Sequence, residues 1–142
     1  MELQDSKAIV IVVPVSSSGI LTRLGAEFRE LYPDLKTAYA HACRSGYVDP
    51  GQCWFWQAPD DTILCMLGIK KEFDDIPCVG DVFEALHRLA GWQKEFGLSM
   101  ALPPVGCGTG ELSWIHDVKP FILSQFNMDL TTLCFKMDPQ GL

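Results

Sequence analysis

Three glycines within five residues are the part of this sequence that most suggests chemistry. Gly106, Gly108 and Gly110 follow the apolar, proline-containing run at 101–105. Glycine costs backbone entropy, but it lets successive backbone N–H groups point into one concavity that can hold an anion. A charge-assisted hydrogen bond to phosphate contributes roughly 1.5 to 3 kcal/mol, so three or four of them would outweigh that cost. The spacing predicts either a phosphate-binding loop or a plain tight turn, and by itself it favours neither.

Other chemistry fits this loop less well. The loop follows the last predicted strand but one, whereas a dinucleotide fingerprint follows the first strand, and no Lys-Ser pair completes a P-loop. Cys107 lies inside the loop, yet the sequence places no histidine to activate it, so we interpret it as a spacer rather than a nucleophile. His116 lies just beyond the loop and is expected to be a surface residue.

A buried strand and two helices are predicted before the middle of the chain. Residues 8–15 form a continuous β-branched run, which is typical of a parallel strand buried on both faces. Apolar residues recur at three- and four-residue spacing over 20–31, which predicts an amphipathic helix that ends before Pro33. A second helix is expected at about 35–43, with Gly46 available for its left-handed end.

The second half of the chain adds a hairpin, two helices and two strands. Two apolar runs around the turn at 58–61 predict a strand–turn–strand unit. Asp81 is expected to cap a helix that stops at Gly97, with five residues toward the core: Val82, Leu86, Leu89, Ala90 and Phe96. The remaining predicted elements are a strand at 99–105, a helix at about 117–126 with Pro120 in its first turn, and a strand at 131–137. This order predicts an α/β fold whose mixed sheet has helices on both faces.

Composition limits the class of protein. The 142 residues, 48% of them hydrophobic and 20% charged, suit one domain with one core, so we expect a single domain over 1–142. The longest apolar run is too short to cross a bilayer and we expect no secretory leader, which predicts a cytoplasmic protein without a membrane partner. The net charge of −7 argues against an extended nucleic-acid surface. Most of the six cysteines are expected to be reduced thiols, several of them buried, and no metal or cofactor is predicted.

Four stretches, taken together and in order, resemble one family. The loop "PPVGCGTGELSW" resembles the second ligand-binding loop of macrodomains, and in particular of the branch that contains the DNA ADP-ribosyl glycohydrolase antitoxins and the human terminal ADP-ribose glycohydrolase. Residues 25–52 are similar to the helix pair and P-G turn of that branch, "LGIKKEF" to its strand ending in a lysine pair, and "SWIHDVKPFI" to its closing helix. The resemblance implies a three-layer α/β/α macrodomain with a mixed, mostly parallel central sheet.

The resemblance also implies a site for ADP-ribose. Lys70 matches the catalytic lysine of the branch, which attacks the anomeric carbon of the distal ribose or polarises the glycosidic bond, and which must be partly neutral. Lys71 is expected to be an ordinary solvated lysine. The residues expected to bind the ligand are Ser16, Ser17, Ser18, Gly19 and Ile20 in a first loop, and Val105, Gly106, Cys107, Gly108, Thr109, Gly110 and Glu111 in the second. Glu111 is also a minor candidate for ordering the distal ribose.

Three positions depart from the family pattern. Ser16 stands where an asparagine orients the ribose, and Thr22-Arg23 replace a glycine turn. Serine can still hydrogen-bond a ribose hydroxyl, but it is shorter and has a single donor. The amino end is short, with Glu2 near the place of the carboxylate that binds adenine. Either the first edge strand of the family has been lost or another element supplies the adenine contact.

The sequence leaves three functions open. The first is an antitoxin-like ADP-ribosyl glycohydrolase that removes ADP-ribose from modified nucleic acid or protein. The second is a module that binds or sequesters ADP-ribose, or a related nucleotide, without turnover. The third is a scaffold whose pocket is inactive. The ligand implied by the resemblance is ADP-ribose or an ADP-ribosylated macromolecule, and the implied partner is a cognate ADP-ribosyltransferase.

Overall fold

One sheet of five strands forms the centre of the part of the chain that the structure describes. The computed structural model describes residues 8–21, 23–107 and 112–134. The strands are β1 (Val10–Ser16), β2 (Cys53–Gln57), β3 (Ile63–Lys70), β4 (Met100–Leu102) and β5 (Thr131–Leu133). They lie in the order β2-β3-β1-β4-β5, and of these strands only β2 runs antiparallel to its neighbour. The predicted mixed, mostly parallel sheet and the predicted hairpin are confirmed.

Helices cover both faces of the sheet. They are α1 (Leu24–Leu31), α2 (Leu35–Arg44), α3 (Val79–Phe96) and α4 (Lys119–Gln125), the last preceded by a π-helical turn at Trp114–Val118. Phe28 of α1 and Leu35 and Tyr39 of α2 belong to one hydrophobic cluster, whereas the buried apolar residues of α3 and α4 belong to the other. The predicted α/β/α layering is confirmed.

The central strand β1 is buried along its whole length. Val10 and Val12 belong to the cluster under α3 and α4, whereas Ile11 and Val13 belong to the cluster under α1 and α2. The continuous β-branched run therefore serves both layers, as its pattern predicted. Because β3 and β4 pair with β1 on either side, the position of Ser16 at its carboxyl end is fixed by the core.

The first helix begins later than predicted. It starts at Leu24 rather than near residue 20, and Arg23 precedes it with φ 52° and ψ −117°, outside the helical region. Leu31, counted in the apolar stripe, is exposed, while Phe28 is buried. The apolar spacing thus indicated the helix, but its start depends on backbone conformations that the spacing does not encode.

The long helix α3 ends where it was predicted to end, but it begins earlier than predicted. It begins at Val79, so Asp81 lies inside the first turn instead of capping it, where its carboxylate still complements the helix dipole. Gly97 ends the helix in the left-handed conformation, as predicted. Val82, Leu86, Leu89 and Ala90 are buried, as predicted.

The prediction that Phe96 faces the core is wrong. Phe96 is 58% exposed, and its ring stacks on Trp92 with 5.4 Å between the ring centroids. The buried position near this end of the helix belongs to Gln93 instead. Its side-chain amide donates to Thr131 and accepts a hydrogen bond from the backbone of Asn127, so it ties α3 to the segment at β5.

The closing elements are shorter than predicted. Strand β4 ends at Leu102, not at residue 105, because the two prolines that follow have no N–H to donate to a ladder. Helix α4 carries Pro120 in its first turn, as predicted, but begins at Lys119 after the π-helical turn. The last strand is described from Thr131 to Leu133, and residues 135–142 lie outside the described part.

All six cysteines are free thiols, and Cys65 and Cys134 are buried. Among the residues that the structure describes, no helix is long and apolar enough to cross a membrane.

Candidate functional site

The carboxyl ends of the parallel strands β1, β3 and β4 meet at one edge of the sheet. Since β1 lies between β3 and β4, the chain connects it to neighbours on opposite sides, which is the arrangement that places ligands of open α/β sheets in a crevice at this edge. The described segments that leave the three strands here are 17–21, 71–78 and 103–107. One of them follows the predicted catalytic residue Lys70, and the others include residues 17–20 of the first predicted ligand loop and residues 105–107 of the second.

Lys70 ends β3 opposite Ser16, the last residue of β1. The pairing shifts register between Val15 and Ser16, so that Ser16 is the partner of Lys70. The Ser17 backbone N–H donates to the Lys70 carbonyl at 3.0 Å, and the Ser17 hydroxyl donates to the Lys71 carbonyl at 3.2 Å. The first loop is therefore bonded directly to the backbone that carries the lysine pair.

The serine side chains of the first loop bond to each other. Ser16 is buried, and its Oγ lies 2.8 Å from the Oγ of Ser18. The Ile20 N–H donates to Ser18 Oγ at 3.4 Å. Two hydroxyls that share a hydrogen bond leave one O–H to donate elsewhere. The first loop can thus offer a ligand one hydroxyl proton from this pair, together with its backbone.

Gly19 and Ile20 form the open part of the first loop. Gly19 has φ +88°, and a Cβ built there would meet no atom within 4 Å among the described residues. Glycine is therefore required by the backbone conformation rather than by crowding. Ile20 is 48% exposed, so this end of the loop borders open space at the edge of the crevice.

Burial lowers the pKa of Lys70 below its ordinary value. Desolvation is the largest cause, and the positive charge of Arg23 adds to it, while Asp75 and Asp74 act in the opposite direction. Both lowering effects disfavour the ammonium form. The structure thus supplies the kind of environment that a nucleophilic lysine needs.

The described part of the second loop is packed into the fold. Val105 and Gly106 are buried, and Gly106 has φ +74° with its α-carbon facing Leu112 and Val82. A Cβ there would lie 3.1 Å from Leu112 and 3.3 Å from Val82. Gly106 is thus explained by a turn and a close approach. Gly108, Thr109, Gly110 and Glu111 lie outside the described residues.

Cys107 has the character of a spacer. Its backbone N–H donates to the Pro104 carbonyl at 3.3 Å, and its Sγ donates to the Val105 carbonyl at the same distance. Burial raises the pKa of its thiol to about 11, with a contribution from Asp117. The thiolate, which is the nucleophilic form, is therefore scarce near neutral pH.

The second loop ends on a capped turn that the sequence interpretation missed. The Ser113 N–H donates to the Asp117 carboxylate at 2.8 Å, and the Ser113 hydroxyl accepts from the His116 N–H at 3.2 Å. These reciprocal bonds fix the start of the π-helical turn, much as a capping box fixes an α-helix. His116 is exposed, as predicted. Within the described part, no group of three or more His, Cys, Asp or Glu side chains could hold a metal ion.

Some known proteins are similar to this chain in sequence, and others in structure. No family model matches the chain. The DNA ADP-ribosyl glycohydrolase of Mycobacterium tuberculosis is 28% identical over 127 residues, which are 86% of this chain and 35% of that protein. The Thermus aquaticus protein of the same name is 26% identical over 117 residues, 79% of this chain and 32% of that protein. The chain thus spans about a third of the length of these curated relatives.

The solved structures decide the fold. The macrodomain of Mycobacterium tuberculosis DarG superposes with a TM-score of 0.85 at 22% identity, covering 96% of this chain and 95% of that one. This chain has the macrodomain fold. The structure of Thermosipho africanus DarTG in complex with ADP-ribose also matches, with a TM-score of 0.82 at 17% identity over 99% of this chain and 44% of that one. The resemblance and the fold class predicted from the sequence are confirmed.

Two residues outside the predicted set of ligand contacts, Tyr39 and Arg23, affect Ser16 and Lys70. The hydroxyl of Tyr39, a fully buried residue of α2, donates to the Ser16 carbonyl. This bond holds the carboxyl end of β1 to α2. Arg23 acts on Lys70 through its charge. Nothing in the sequence indicated this contact, because Tyr39 has the spacing of an ordinary core aromatic residue on its helix. The replacement of a glycine turn by Thr22-Arg23 was the one available signal for Arg23.

Proposed function

We propose that this macrodomain, taken over residues 1–142, binds ADP-ribose at the carboxyl ends of β1, β3 and β4 and removes it from a modified macromolecule. The observation that carries the proposal is Lys70, which lies opposite Ser16 in the central register with its pKa lowered by burial. A lysine without such a role at a strand end would ordinarily be exposed to solvent, and its pKa would not be lowered. The names of the curated relatives support modified DNA as the first substrate to test. The partner in this proposal is the one that the sequence resemblance implies, a cognate ADP-ribosyltransferase that makes the modification.

In the proposed hydrolysis, Lys70 forms a covalent bond to the distal ribose. The neutral Nζ of Lys70 attacks C1″ of the distal ribose, and a C1″–Nζ bond forms as the glycosidic bond breaks. The bonding pair leaves with the acceptor atom, which takes up the proton released from Nζ. Water then adds to C1″ and the C1″–Nζ bond breaks, which gives free ADP-ribose and restores the amine. In this arrangement the one O–H left by the Ser16 and Ser18 pair would donate to the ribose.

One observation favours a second candidate, a module that binds ADP-ribose without turnover. Ser16 replaces the asparagine of the family pattern, and its hydroxyl is already bonded to Ser18. A ribose held by one donor is oriented less firmly than one held by a side-chain amide. Such a module would bind the free ligand and leave the glycosidic bond intact.

Substitutions of the adjacent residues Lys70 and Lys71 distinguish the two candidate functions. With ADP-ribosylated DNA as substrate, we expect Lys70→Ala to reduce the rate of ADP-ribose release by a factor on the order of 100 or more, because the nucleophile is removed. Lys71→Ala is the matched control, since Lys71 is exposed and adjacent, and it should release ADP-ribose at the wild-type rate. Both variants should retain binding of free ADP-ribose.

Two results would exclude hydrolysis through Lys70. Equal release by wild type and Lys70→Ala removes the lysine from its role. Release by neither protein, with retained calorimetric binding of ADP-ribose, supports the non-catalytic module instead. The same assay with ADP-ribosylated protein in place of DNA tells which acceptor is used.

A further inference from the structure

Two side chains of α2 contact the first loop. Tyr39 and Cys43 are four residues apart, so they are neighbours on the surface of the helix. Tyr39 is fully buried, and its hydroxyl donates to the carbonyl of Ser16, where the loop begins. The sulfur of Cys43, which is half-buried, accepts a hydrogen bond from the backbone N–H of Gly19. The helix therefore holds the loop at Ser16 and again three residues later.

The side chains of Tyr39 and Cys43 are also hydrogen-bonded to each other. A tyrosine hydroxyl and a thiol each have one proton to donate, and each can accept. Since the Tyr39 proton goes to the Ser16 carbonyl, the Cys43 thiol is the donor to the Tyr39 oxygen. A single chain of hydrogen bonds results, in which every group donates once. It runs from the Gly19 N–H through Cys43 and Tyr39 to the Ser16 carbonyl.

The Ser16 carbonyl needs a partner of this kind. Ser16 is buried, and the register between β1 and β3 shifts just before it, which interrupts the regular ladder of the two strands. On the other side, β1 is paired with β4 at Val10 and Ile11, several residues earlier. A buried carbonyl without a hydrogen bond costs free energy, so the Tyr39 hydroxyl stabilises the loop in the conformation that the structure shows.

The peptide group between Ser16 and Ser17 is held from two directions. Its carbonyl accepts from Tyr39, and its N–H donates to the carbonyl of Lys70 at 3.0 Å. A peptide group is planar, so two such bonds fix the backbone direction on both sides of it. The Ser16 hydroxyl, which pairs with Ser18 at 2.8 Å, leaves the chain next to this peptide group. The direction of the hydroxyl pair relative to Lys70 therefore depends on the Tyr39 bond.

We propose that Tyr39 and Cys43 are positioning residues, which together hold the first loop so that the hydroxyls of Ser16 and Ser18 face the ribose. This proposal rests on the proposed function for the ligand, but not for the hydrogen bonds. Neither side chain touches the ligand in this role, because both act through the backbone of the loop. The Gly19 N–H is bonded within the protein and is not a donor to the ligand.

The test removes the two side-chain groups in turn. Tyr39→Phe keeps the buried ring and deletes the hydroxyl, and Cys43→Ala deletes the thiol. With ADP-ribosylated DNA as substrate, we expect kcat for ADP-ribose release to fall roughly 10-fold or more in Tyr39→Phe, because a misoriented ribose reacts slowly, while KM changes by a smaller factor. Cys43→Ala should lower kcat less, since a thiol is a weak donor and acceptor. The double variant should lose little more than Tyr39→Phe, because the two groups belong to one chain of hydrogen bonds.

Tyr32→Phe is the matched control. Tyr32 is a buried tyrosine of the same hydrophobic cluster, and its hydroxyl donates at 2.7 Å to Asp60, in the turn before β3 and at the opposite end of that strand from Lys70. This variant should keep the wild-type kcat. Thermal unfolding of every variant checks that the assay runs well below each transition.

Two kinetic results would overturn the proposal. One is a wild-type kcat in Tyr39→Phe, and the other is an equal loss of kcat in Tyr39→Phe and Tyr32→Phe, because the effect would then come from general loosening of the core. If Tyr39→Phe does not fold, Cys43→Ala decides, and a wild-type kcat in that variant overturns the proposal.

The amide proton of Gly19 separates failure of this proposal from failure of the proposed function, because NMR follows it in the ligand-free protein. Its chemical shift should move in Tyr39→Phe and in Cys43→Ala, and should stay in place in Tyr32→Phe. An unchanged Gly19 shift in the first two variants would overturn the chain of hydrogen bonds, whatever the protein binds.

The remaining outcomes concern the ligand. If the Gly19 shift moves as expected but wild type neither binds nor releases ADP-ribose, the proposed function is wrong and the chain of hydrogen bonds stands. If wild type binds ADP-ribose without releasing it, calorimetric affinity takes the place of kcat. An unchanged Kd for ADP-ribose in Tyr39→Phe then overturns the positioning role, and a Kd raised in Tyr39→Phe but not in Tyr32→Phe supports it.

Discussion

At the scale of single residues, the candidate site depends on the pairing of Ser16 with Lys70. The register shift in β1 brings a buried serine opposite the last residue of β3, and the Ser17 N–H secures that end. The proposed chemistry depends on the environment of one amine, because desolvation and the charge of Arg23 both disfavour its ammonium form. Cys107 is the other candidate nucleophile, and its raised pKa keeps the thiol protonated near neutral pH.

The lowered pKa of Lys70 predicts how activity depends on pH. Only the neutral amine attacks, so kcat/KM for ADP-ribose release should rise with pH and reach half of its plateau below pH 10.5, the ordinary lysine value. The measurement is a pH–rate profile on ADP-ribosylated DNA. A profile that is flat or falls as pH increases across the alkaline range would contradict a lysine nucleophile.

The same shift has a defined sign for stability. Between the folded and unfolded pKa values of Lys70, the unfolded chain binds more protons than the native protein. The contribution of Lys70 to the free energy of unfolding therefore increases as pH rises across that interval, and is lost as pH falls through the folded pKa. At neutral pH the half-buried ammonium of Lys70 opposes folding.

At the scale of elements, the turn at Asp49-Pro50-Gly51 supports β3 just before the lysine. The Gly51 N–H donates to the Gly68 carbonyl at 2.9 Å, and the Gly68 N–H donates to the Gln52 carbonyl at 2.8 Å. A Cβ on Gly68 would lie 2.4 Å from the carbonyl oxygens of both Val48 and Asp49. Gly68 is therefore required because the backbone of the preceding turn passes directly over it.

Gly68→Ala should lower the free energy of unfolding by about 1 to 3 kcal/mol or more, since the backbone atoms that it meets cannot move aside cheaply. Gly91→Ala is the control, because a Cβ there meets no described atom within 4 Å and the position is an exposed one in α3. That change should raise the free energy of unfolding by about 0.5 to 1 kcal/mol. Urea denaturation measures both, and an equal or opposite ranking of the two variants would contradict the packing described here.

The elements were predictable from the sequence wherever a period or a breaker marks them. The β-branched run of β1, the strand–turn–strand unit and Gly97 at the end of α3 all follow from local rules, and all are present. Element starts were not predictable at Arg23 and Val79, because a positive φ and an extended N-cap leave no apolar signature. Phe96 was assigned wrongly because helical spacing alone does not distinguish a core contact from stacking on Trp92.

At the scale of the whole molecule, the sheet order determines where a ligand can meet both loops. Loops 17–21 and 103–107 come from sequence positions far apart, and they leave the same edge of the sheet because β1 pairs in parallel with β4 as well as with β3. Long-range pairing of this kind was supplied by the family resemblance, not by local patterns. With a net charge of −7, the overall field of the protein does not attract anions, so binding of ADP-ribose would depend on local groups such as backbone N–H donors.

The central claim is that ADP-ribose binds in the crevice where β1, β3 and β4 end, and amide NMR of the protein during an ADP-ribose titration tests it most directly. We predict saturable shifts for the amides of residues 16–20 and of Lys70, with little change for the residues of β2 and the outer face of α3 around Trp92. Shifts that are absent at saturating ADP-ribose, or that map to β2 and Trp92 instead of the crevice, would contradict the account.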